Sequence, residues 1–242
     1  MSHNFWKVEY VSANAKGCSY SVPVRSMHRP ACRAILSGSF YEPKTHELIK
    51  EIYRHFSGNL IHAGVFFGDM LPSFSDCVGA KGLVYAFEPV LESYVLARLC
   101  VQENNLKNIV LLNSALSDQA GSLTIVTDAG KRGGASLIGS GQGGDQIISA
   151  LCVDSFCINN LLCLHLDVEG HELQALKGSL QTIQRSKPIV LIEDNRNNCN
   201  DFMEQCGYIC IGRVPGLKAW VHKSDERFRE ALAGLPSGFF EA

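Results

Sequence analysis

Short apolar runs alternate along the chain with longer segments whose apolar residues recur at helical spacing. The runs predict β-strands, and the periodic segments predict helices that cover them. The predicted strands are 60–63, 83–87, 109–112, 121–127, 147–153, 161–166, 188–192, 208–211 and 217–222, and the main predicted helices are 42–55, 91–104 and 201–206, with further helices after the first strand and after 167. Strands that alternate with helices are typical of a mainly parallel sheet.

This order of elements predicts an α/β fold of the Rossmann-like, doubly wound type. We expect a mainly parallel seven-stranded sheet with an antiparallel last strand. A chain of 242 residues with 46% apolar residues can bury one sizeable core, so a single domain over 1–242 is predicted. Within it, 1–58 is expected to be an N-terminal helical cover and 59–222 the α/β core. Seven glycines between 129 and 145 predict a loop, either a surface linker or a lid.

Charge and hydropathy exclude two classes of partner. The net charge is −2 and no long basic run is present, so the sequence lacks the charge pattern of a nonspecific nucleic-acid binder. No apolar run approaches the roughly 20 residues that a membrane span needs. The first residues are polar and mixed, unlike a secretory signal. We expect a soluble, cytoplasmic protein that binds neither nucleic acid nor membranes, and the oligomeric state stays open.

Two groups of reactive or charged residues have a structural interpretation. The ten cysteines contain no C-x-x-C pair and are predicted to be buried, reduced thiols rather than zinc ligands or disulfides. Arg25, His28, Arg29 and Arg33 form a small basic group near the N-terminus. This group is interpreted as a solvated face, with substrate contact as the less favoured alternative.

The segment 59–89 predicts a nucleotide-sized site within a β-α-β unit. Gly64 and Gly68 follow the first strand, where glycine lets the backbone approach a ligand closely. Glu88 ends the second strand, 20 residues after Gly68, which suits a carboxylate that binds two ribose hydroxyls. The glycine pattern alone is a weak signal, but the glycines and the acid together favour cofactor binding.

A second candidate site is the acid-rich turn after the strand that ends at 166. Asp167, Glu169 and His171 lie within five residues, at the sheet edge where open α/β folds bind ligands. Glu172 and also Glu169 have a structural alternative, because acids at the start of a helix cap backbone N–H groups and compensate the helix dipole. This alternative does not explain an Asp, a Glu and a His within five residues.

Four segments, in order, resemble the FkbM-type family of S-adenosylmethionine-dependent methyltransferases. They are H-A-G-V-F-F-G-D (62–69), Y-A-F-E-P (85–89), N-S-A-L-S-D (113–118) and L-D-V-E-G-H-E-L-Q-A-L-K-G (166–178), and the likeness extends over about 40–222. Family members usually have an acid at the start of the first motif and an Ala-Asn pair inside it. Here His62, Val65 and Phe66 occupy those places.

The resemblance implies a class I methyltransferase fold, S-adenosylmethionine as cofactor, and methyl transfer to a hydroxyl of a sugar or secondary metabolite. The residues implied to bind the cofactor are His62, Gly64, Phe66, Gly68, Asp69, Glu88, Pro89, Ser114, Ala115 and Asp167. His62 is interpreted either as a hydrogen-bonded core histidine or as a contact to the cofactor's amino acid end. Phe66 is interpreted either as a core aromatic or as a cation–π contact to the sulfonium.

Three alternatives remain open at this point. A carboxylate pair beside a hydroxyl is also a possible Mg²⁺ site. A nicotinamide-dependent oxidoreductase would share the strand, glycines and acid, although the chain has G-x-x-x-G rather than G-x-G-x-x-G. A non-catalytic protein that binds S-adenosylmethionine would keep the fold without the chemistry.

The methyl transfer that the resemblance implies usually needs a base for the acceptor's proton. His171 is the preferred base because imidazole titrates near neutral pH, and Asp167 or Glu169 would orient it or the substrate hydroxyl. Were His171 not the base, His46 and Glu193 would be the next candidates.

Overall fold

The structure is a computed structural model, and it describes residues 8–127, 136–139, 146–194, 197–214 and 216–241. The strands are β1 Tyr10–Ala15, β2 Cys18–Pro23, β3 Asn59–Ala63, β4 Val84–Phe87, β5 Ile109–Leu112, β6 Ala115–Leu116, β7 Gly121–Thr127, β8 Ser136–Gly139, β9 Gln146–Leu151, β10 Leu161–Leu166, β11 Ile189–Ile192, β12 Tyr208–Val214 and β13 Leu217–His222. The helices are α1 Pro30–Leu36, α2 Pro43–His55, α3 Leu71–Val78, α4 Leu91–Glu103, α5 Glu172–Lys177, α6 Leu180–Ser186, α7 Asn200–Gln205 and α8 Arg227–Ala233.

The central sheet has the strand order β12-β13-β11-β10-β3-β4-β5 in the part of the chain that is described. Strands β11, β10, β3, β4 and β5 pair in parallel, whereas β13 pairs antiparallel with both of its neighbours. The predicted α/β class with a mainly parallel sheet is therefore confirmed. Because β3 lies beside β10, residues about 100 positions apart in the chain become neighbours at the same edge.

Helices cover both faces of this sheet, as a doubly wound fold requires. Leu60 packs in the cluster formed with α2, α3 and α8, and the adjacent Ile61 packs in the opposite cluster with α5, α6 and α7. Successive side chains of a strand point to opposite faces, so β3 contributes to both cores. Helices α1, α6 and α8 were not predicted, although the other five were. No helix in the described ranges is long and apolar enough to cross a bilayer.

The N-terminal region corrects one prediction. Residues 10–23 form a hairpin of β1 and β2 instead of a helical cover, and the helices of this region are α1 and α2. Lys16 and Gly17 form the two-residue turn of the hairpin, with φ angles of 51° and 83°. Positive φ angles at both residues are typical of a type I′ turn. Tyr20 and Val22 pack with Phe67 and Leu96, so the hairpin rests on α4 and on the loop after β3.

A second sheet, with the order β6-β9-β7-β8, adjoins the central one. The predicted strand at 147–153 exists, but it is β9 of this smaller sheet. Part of the predicted glycine-rich loop is also a strand, because β8 pairs with β7. Residues 128–135 and 140–145 lie outside the described residues. The prediction of a linker or a lid falls mostly on these residues.

The ten cysteines are all described, and all are free thiols. Four of them are buried, namely Cys32, Cys100, Cys163 and Cys199, whereas Cys157 and Cys210 are exposed and the rest are intermediate. The prediction of reduced thiols agrees with this arrangement, and the prediction of burial is right for those four.

The ends of β3 and β10 approach each other so closely that only glycine fits between them. A Cβ added to Gly64 would lie 1.7 Å from the carbonyl oxygen of Asp167, and the φ angle of Gly64 is 86°. The Asp167 N–H also donates to the carbonyl of Ala63 at 3.1 Å. Gly64 therefore allows the two strand ends that carry the candidate site to meet.

We predict that Gly64→Ala strongly destabilises the protein. The left-handed backbone alone costs about 1–2 kcal/mol for a residue with a Cβ, and the clash with Asp167 adds to it. Gly17→Ala is the matched control, because Gly17 also has a positive φ of 83° but nothing lies within 4 Å of its added Cβ. Thermal unfolding of both variants measures the difference. Equal losses in the two variants would contradict the close approach.

Candidate active site

A cavity of about 490 Å³ opens at the carboxyl ends of β4, β3, β10 and β11. This is the edge where open α/β sheets bind ligands, and the volume suits a small molecule. Its lining includes the predicted residues His62, Gly64, Phe66, Asp69, Glu88, Pro89, Ser114, Ala115, Asp167 and Glu169. Gly68 and His171 are not part of this lining. Residues contributed by other segments include Arg25, His28, Arg29, Tyr41, His165 and Glu193.

Glu88 links the two loops that form one half of the cavity. Its Oε2 accepts a hydrogen bond from the Phe66 N–H at 2.7 Å, and its Oε1 accepts one from the Val90 N–H at 2.9 Å. Burial raises the pKa of Glu88 to about 7, although the two backbone bonds favour the ionised form. Each carboxylate oxygen keeps a second lone pair, so Glu88 can still accept hydrogen bonds from a ligand.

The loop after β3 takes a strained path around Glu88. Phe66 has a left-handed φ of 53°, and its N–H group donates to the Glu88 carboxylate. Gly68 has a φ of 88°, and a Cβ there would lie 3.2 Å from both Ala97 and Cys100 of α4. Gly68 therefore shapes the loop from behind, against α4, while Gly64 and Phe66 line the cavity.

Polar groups beyond β5 complete this half of the site. Asn113 donates its side-chain N–H groups to the carbonyls of Glu88 and Pro89, at 2.9 and 3.1 Å. These hydrogen bonds hold the segment after β5 against the loop after β4. The buried Ser114 hydroxyl has no hydrogen-bond partner within the described residues. A buried, unpaired hydroxyl in a cavity wall is suited to bind a ligand.

Arg29 connects the N-terminal region to the site. Its guanidinium lies 4.5 Å from the centroid of the Phe66 ring and 3.2 Å from Oε1 of Glu169. Arg25 and His28 also line the cavity, whereas Arg33 does not. The basic group is thus not only a solvated face, and its position at the cavity is compatible with the alternative interpretation, substrate contact. One face of Phe66 is covered by Arg29, which leaves that face unable to contact a sulfonium.

The opposite half of the cavity carries a carboxyl pair. Asp167 and Glu193, at the ends of the adjacent strands β10 and β11, are hydrogen bonded to each other. Burial raises the pKa of Asp167 well above its usual range, and the Glu193 carboxylate raises it further. Two carboxyls in contact oppose each other's ionisation, so Asp167 binds a proton more readily than an isolated aspartate does.

The rest of the acid-rich turn divides into structural and cavity-lining residues. Glu172 accepts hydrogen bonds from the N–H groups of Val168 and Gly170, at 3.2 and 2.9 Å. Its role is thus structural, but the N–H groups that it binds belong to the turn before α5 and not to the helix. Glu169 and Gly170 have φ angles of 55° and 100°, so the chain turns away from the cavity after Glu169.

His171 lies outside the cavity as a result of this turn. Its Nε2 is 3.0 Å from the hydroxyl of Ser117, and burial lowers its pKa. The structure thus brings Asp167 and Glu169 together in the cavity without His171. The role of His171 as general base stays a prediction that this position does not favour.

Two histidines form a buried pair in the cavity wall. His62 on β3 and His165 on β10 are partners in the strand register, and their Nδ1 atoms are 2.9 Å apart. Burial lowers the pKa of His165 to about 3 and that of His62 in the same direction, so both rings are neutral at pH 7. Sequence reasoning missed His165, because a single histidine in an apolar strand carries no signal of a partner 103 residues away.

Two comparisons place the chain among known proteins. The family model described as "Methyltransferase FkbM domain" matches residues 62–210, which is more than half of the chain. The chain belongs to the FkbM methyltransferase family. No curated protein matches it significantly.

One solved structure supports the fold of this FkbM-family chain, and a second, which aligns less closely, adds no further weight. The methyltransferase FkbM from Methylobacillus flagellatus KT aligns with a TM-score of 0.53 and 15% identity over 69% of this chain and 44% of that one. A putative rRNA methylase from Clostridium thermocellum aligns with a TM-score of 0.49 and 11% identity over 76% and 96%. The match thus spans less than half of the Methylobacillus protein, and at these identities the likeness concerns the fold alone.

The chemistry of the FkbM-family cavity fits an organic ligand better than a metal. Among the described residues, no group of three or more His, Cys, Asp or Glu side chains is arranged to hold a metal ion. The possible Mg²⁺ site therefore has no support. The unpaired Ser114 hydroxyl and the remaining lone pairs of Glu88 suit hydroxyl and ring nitrogen groups of a nucleoside.

We predict a pH-dependent effect of Glu88→Gln on stability. The pKa of Glu88 is about 7 in the folded protein against an ordinary value of 4.5, so the folded state binds the proton more tightly. The contribution of Glu88 to stability is therefore greatest at low pH and is lost as the pH rises to about 7. Glutamine does not ionise, so the wild type should lose up to about 3 kcal/mol relative to the variant over this range.

Chemical denaturation of both ligand-free proteins at about pH 5 and about pH 8 measures this relative change. Other titrating groups are common to the two proteins and cancel in the difference. A stability difference that is the same at both pH values would show that Glu88 is ionised in the folded protein throughout.

Proposed function

We propose that this protein is an S-adenosylmethionine-dependent methyltransferase that methylates a hydroxyl group of a sugar or a secondary metabolite. The proposal rests on membership of the FkbM family and on one observation in the cavity. A hydrogen-bonded Asp167–Glu193 pair lies across the cavity from Glu88. One wall thus has an acceptor for a nucleoside, and the other has a group that can take a proton.

The Glu88 half of the cavity binds the nucleoside in this proposal. The two oxygens of Glu88 are held in place by the Phe66 and Val90 N–H groups, so their free lone pairs point to fixed positions. Such a carboxylate accepts hydrogen bonds from two neighbouring ribose hydroxyls. Ser114 and Ala115 lie beyond β5 and border the adenine. S-Adenosylmethionine, when bound, supplies a methyl group on a positively charged sulfur.

The Asp167–Glu193 pair removes the proton of the acceptor hydroxyl. An ionised carboxylate of the pair can accept a proton, and the raised pKa of Asp167 makes that residue a stronger base than an ordinary aspartate. An acceptor hydroxyl in contact with this pair would give up its proton there, and the cofactor, when bound, would supply the methyl group and leave as S-adenosylhomocysteine. Arg29 holds Glu169 at 3.2 Å, so the positive charge of Arg29 is compensated beside the pair. Orientation of the two reactants supplies the remainder of the rate.

Two alternative functions are less well supported. A nicotinamide-dependent oxidoreductase lacks support from the family and from the glycine pattern. A non-catalytic protein that binds S-adenosylmethionine needs no proton acceptor, and the Asp167–Glu193 pair is then unexplained. We further propose that the protein acts in the cytoplasm, since its ten free thiols are typical of reducing compartments.

We predict that the protein binds S-adenosylmethionine and that Glu88→Gln weakens this binding about ten- to a hundredfold. A charge-assisted hydrogen bond is worth about 1.5–3 kcal/mol, which corresponds to that loss. Isothermal titration calorimetry at about pH 8, where Glu88 is ionised in the wild type, provides the measurement. The same titration with NADH is the control. Binding of NADH instead of S-adenosylmethionine would overturn the proposed cofactor.

The second functional prediction concerns the proton acceptor. Asp167→Asn and Glu193→Gln should each lower methyl transfer at least tenfold, because a general base contributes about 10²–10⁴ in rate. Cofactor affinity should stay close to the wild-type value in both variants. Formation of S-adenosylhomocysteine is followed with a set of hydroxylated sugars and metabolites, with and without a chelator.

His171→Ala separates the two candidates for the base. Its ring is hydrogen bonded to Ser117 outside the cavity, so its loss should change the rate far less than Glu193→Gln. A large loss in His171→Ala together with wild-type rates in the two carboxyl variants would return the role to His171. Activity that disappears with the chelator would instead point to a metal.

A further inference from the structure

The half of the cavity that carries the Asp167–Glu193 pair also contains Tyr41. This tyrosine lines the cavity with the pair, and it belongs to the segment just before α2, outside the region 62–210 that the family shares. Burial raises the pKa of Tyr41, and the nearby charges of Glu42, Asp167 and Glu193 raise it further. The phenol oxygen therefore lies beside the pair that takes the proton in the proposed function.

The protein behind Tyr41 holds this residue in place. The Nε2 atom of His46 donates to the Tyr41 carbonyl at 3.0 Å, and the His46 ring stacks on Phe40 with a centroid distance of 4.6 Å. Tyr41 also packs against the two apolar clusters that contain Leu48 and Phe67. A side chain that is fixed in this way can hold its hydroxyl in one position, as a group that orients a substrate must.

Glu42 determines what the Tyr41 hydroxyl can offer to a ligand. Burial raises the pKa of Glu42 to about 6, although hydrogen bonds from Thr45 and Tyr41 act in the opposite direction. A hydrogen bond that lowers the pKa of a carboxyl favours its ionised form, so the Tyr41 hydroxyl is the donor in this bond. Its proton is thus engaged by Glu42, and the Tyr41 oxygen has only lone pairs left.

The polar groups next to Tyr41 are also hydrogen-bond acceptors. Carboxylates accept hydrogen bonds and donate none, and the hydrogen bond between Asp167 and Glu193 uses the proton that Asp167 binds. A ligand in this half of the cavity must therefore supply donors, because acceptors without a partner cost free energy. The hydroxyl that is methylated has a single proton, which goes to the pair. A donor for Tyr41 has to come from a second group of the same molecule.

We propose that Tyr41 is a specificity-determining residue that accepts a hydrogen bond from a second hydroxyl of the methyl acceptor. The acceptor then has at least two neighbouring hydroxyls, one methylated at the Asp167–Glu193 pair and the other bound by Tyr41. A site built in this way discriminates against an analogue that lacks the second hydroxyl, because the phenol oxygen is left unpaired. This inference rests on the proposed function and narrows its acceptor to a diol or polyol.

Tyr41→Phe tests the contact, because it removes the oxygen and keeps the ring. The probes are methyl glycosides of the common hexoses with their monodeoxy analogues, and cyclohexane-1,2-diol with cyclohexanol. Formation of S-adenosylhomocysteine is the readout. For the best wild-type acceptor, a deoxy analogue that keeps the methylated hydroxyl should lose roughly ten- to a hundredfold in kcat/KM. In Tyr41→Phe the parent compound should lose a similar factor, so that the two compounds react at similar rates.

Tyr53→Phe is the matched control. Tyr53 lies on α2 and does not line the cavity, and its hydroxyl donates to the Asn59 carbonyl at 3.0 Å. Its loss should leave the ratio of kcat/KM between parent and deoxy analogue at the wild-type value. A Tyr41→Phe variant that also keeps the wild-type ratio would overturn the inference and leave the proposed function intact. Wild-type protein that methylates no hydroxylated compound would overturn both.

A measurement on the wild type covers the case in which Tyr41→Phe does not fold. The tyrosine rings are labelled with ¹³C, and S-adenosylhomocysteine is bound so that no methyl transfer occurs. The parent acceptor should then shift the Cζ signal of Tyr41, whereas its deoxy analogue should not. Equal shifts with the two compounds would overturn the contact.

Discussion

The Glu88 carboxylate is the contact on which the cavity depends. Its two oxygens bind the N–H groups of Phe66 and Val90, which belong to the loops after β3 and β4. Phe66 has a left-handed backbone conformation, which costs free energy. The hydrogen bond from its N–H group to Glu88 offsets this cost. The same residue thus shapes the site and provides its acceptor for a ligand. Burial raises the pKa of Glu88, so the ionised form of this carboxyl is less stable in the cavity wall than in water.

The sequence predicted the parts of the structure that depend on local pattern. Apolar runs located the strands of the central sheet, and the spacing from Gly68 to Glu88 located one half of the cavity, because both are properties of a single β-α-β unit. The hairpin at 10–23 escaped prediction, since its polar residues give no clear alternation. His171 lies outside the cavity for a local reason: the left-handed residues Glu169 and Gly170 turn it away, although it follows Asp167 by only four positions.

The remaining site residues could not be found from local pattern because they meet across long stretches of chain. Arg29 and Glu169 are 140 positions apart, and His62 and His165 are 103 apart. The second pair exists only because β10 inserts beside β3 rather than beside β9, its neighbour in sequence. Each unpaired ring nitrogen costs about 1–3 kcal/mol in the ligand-free protein.

Arg29 and Tyr41 line the cavity, yet both precede the region 62–210 that the family shares. The hairpin that supports this segment packs on α4 through its own small cluster and contributes no strand to the central sheet. Substitutions of Arg29 or Tyr41 change the lining of the cavity outside the region that the family shares. Relatives that have only the region 62–210 in common therefore need not share the whole wall of this cavity.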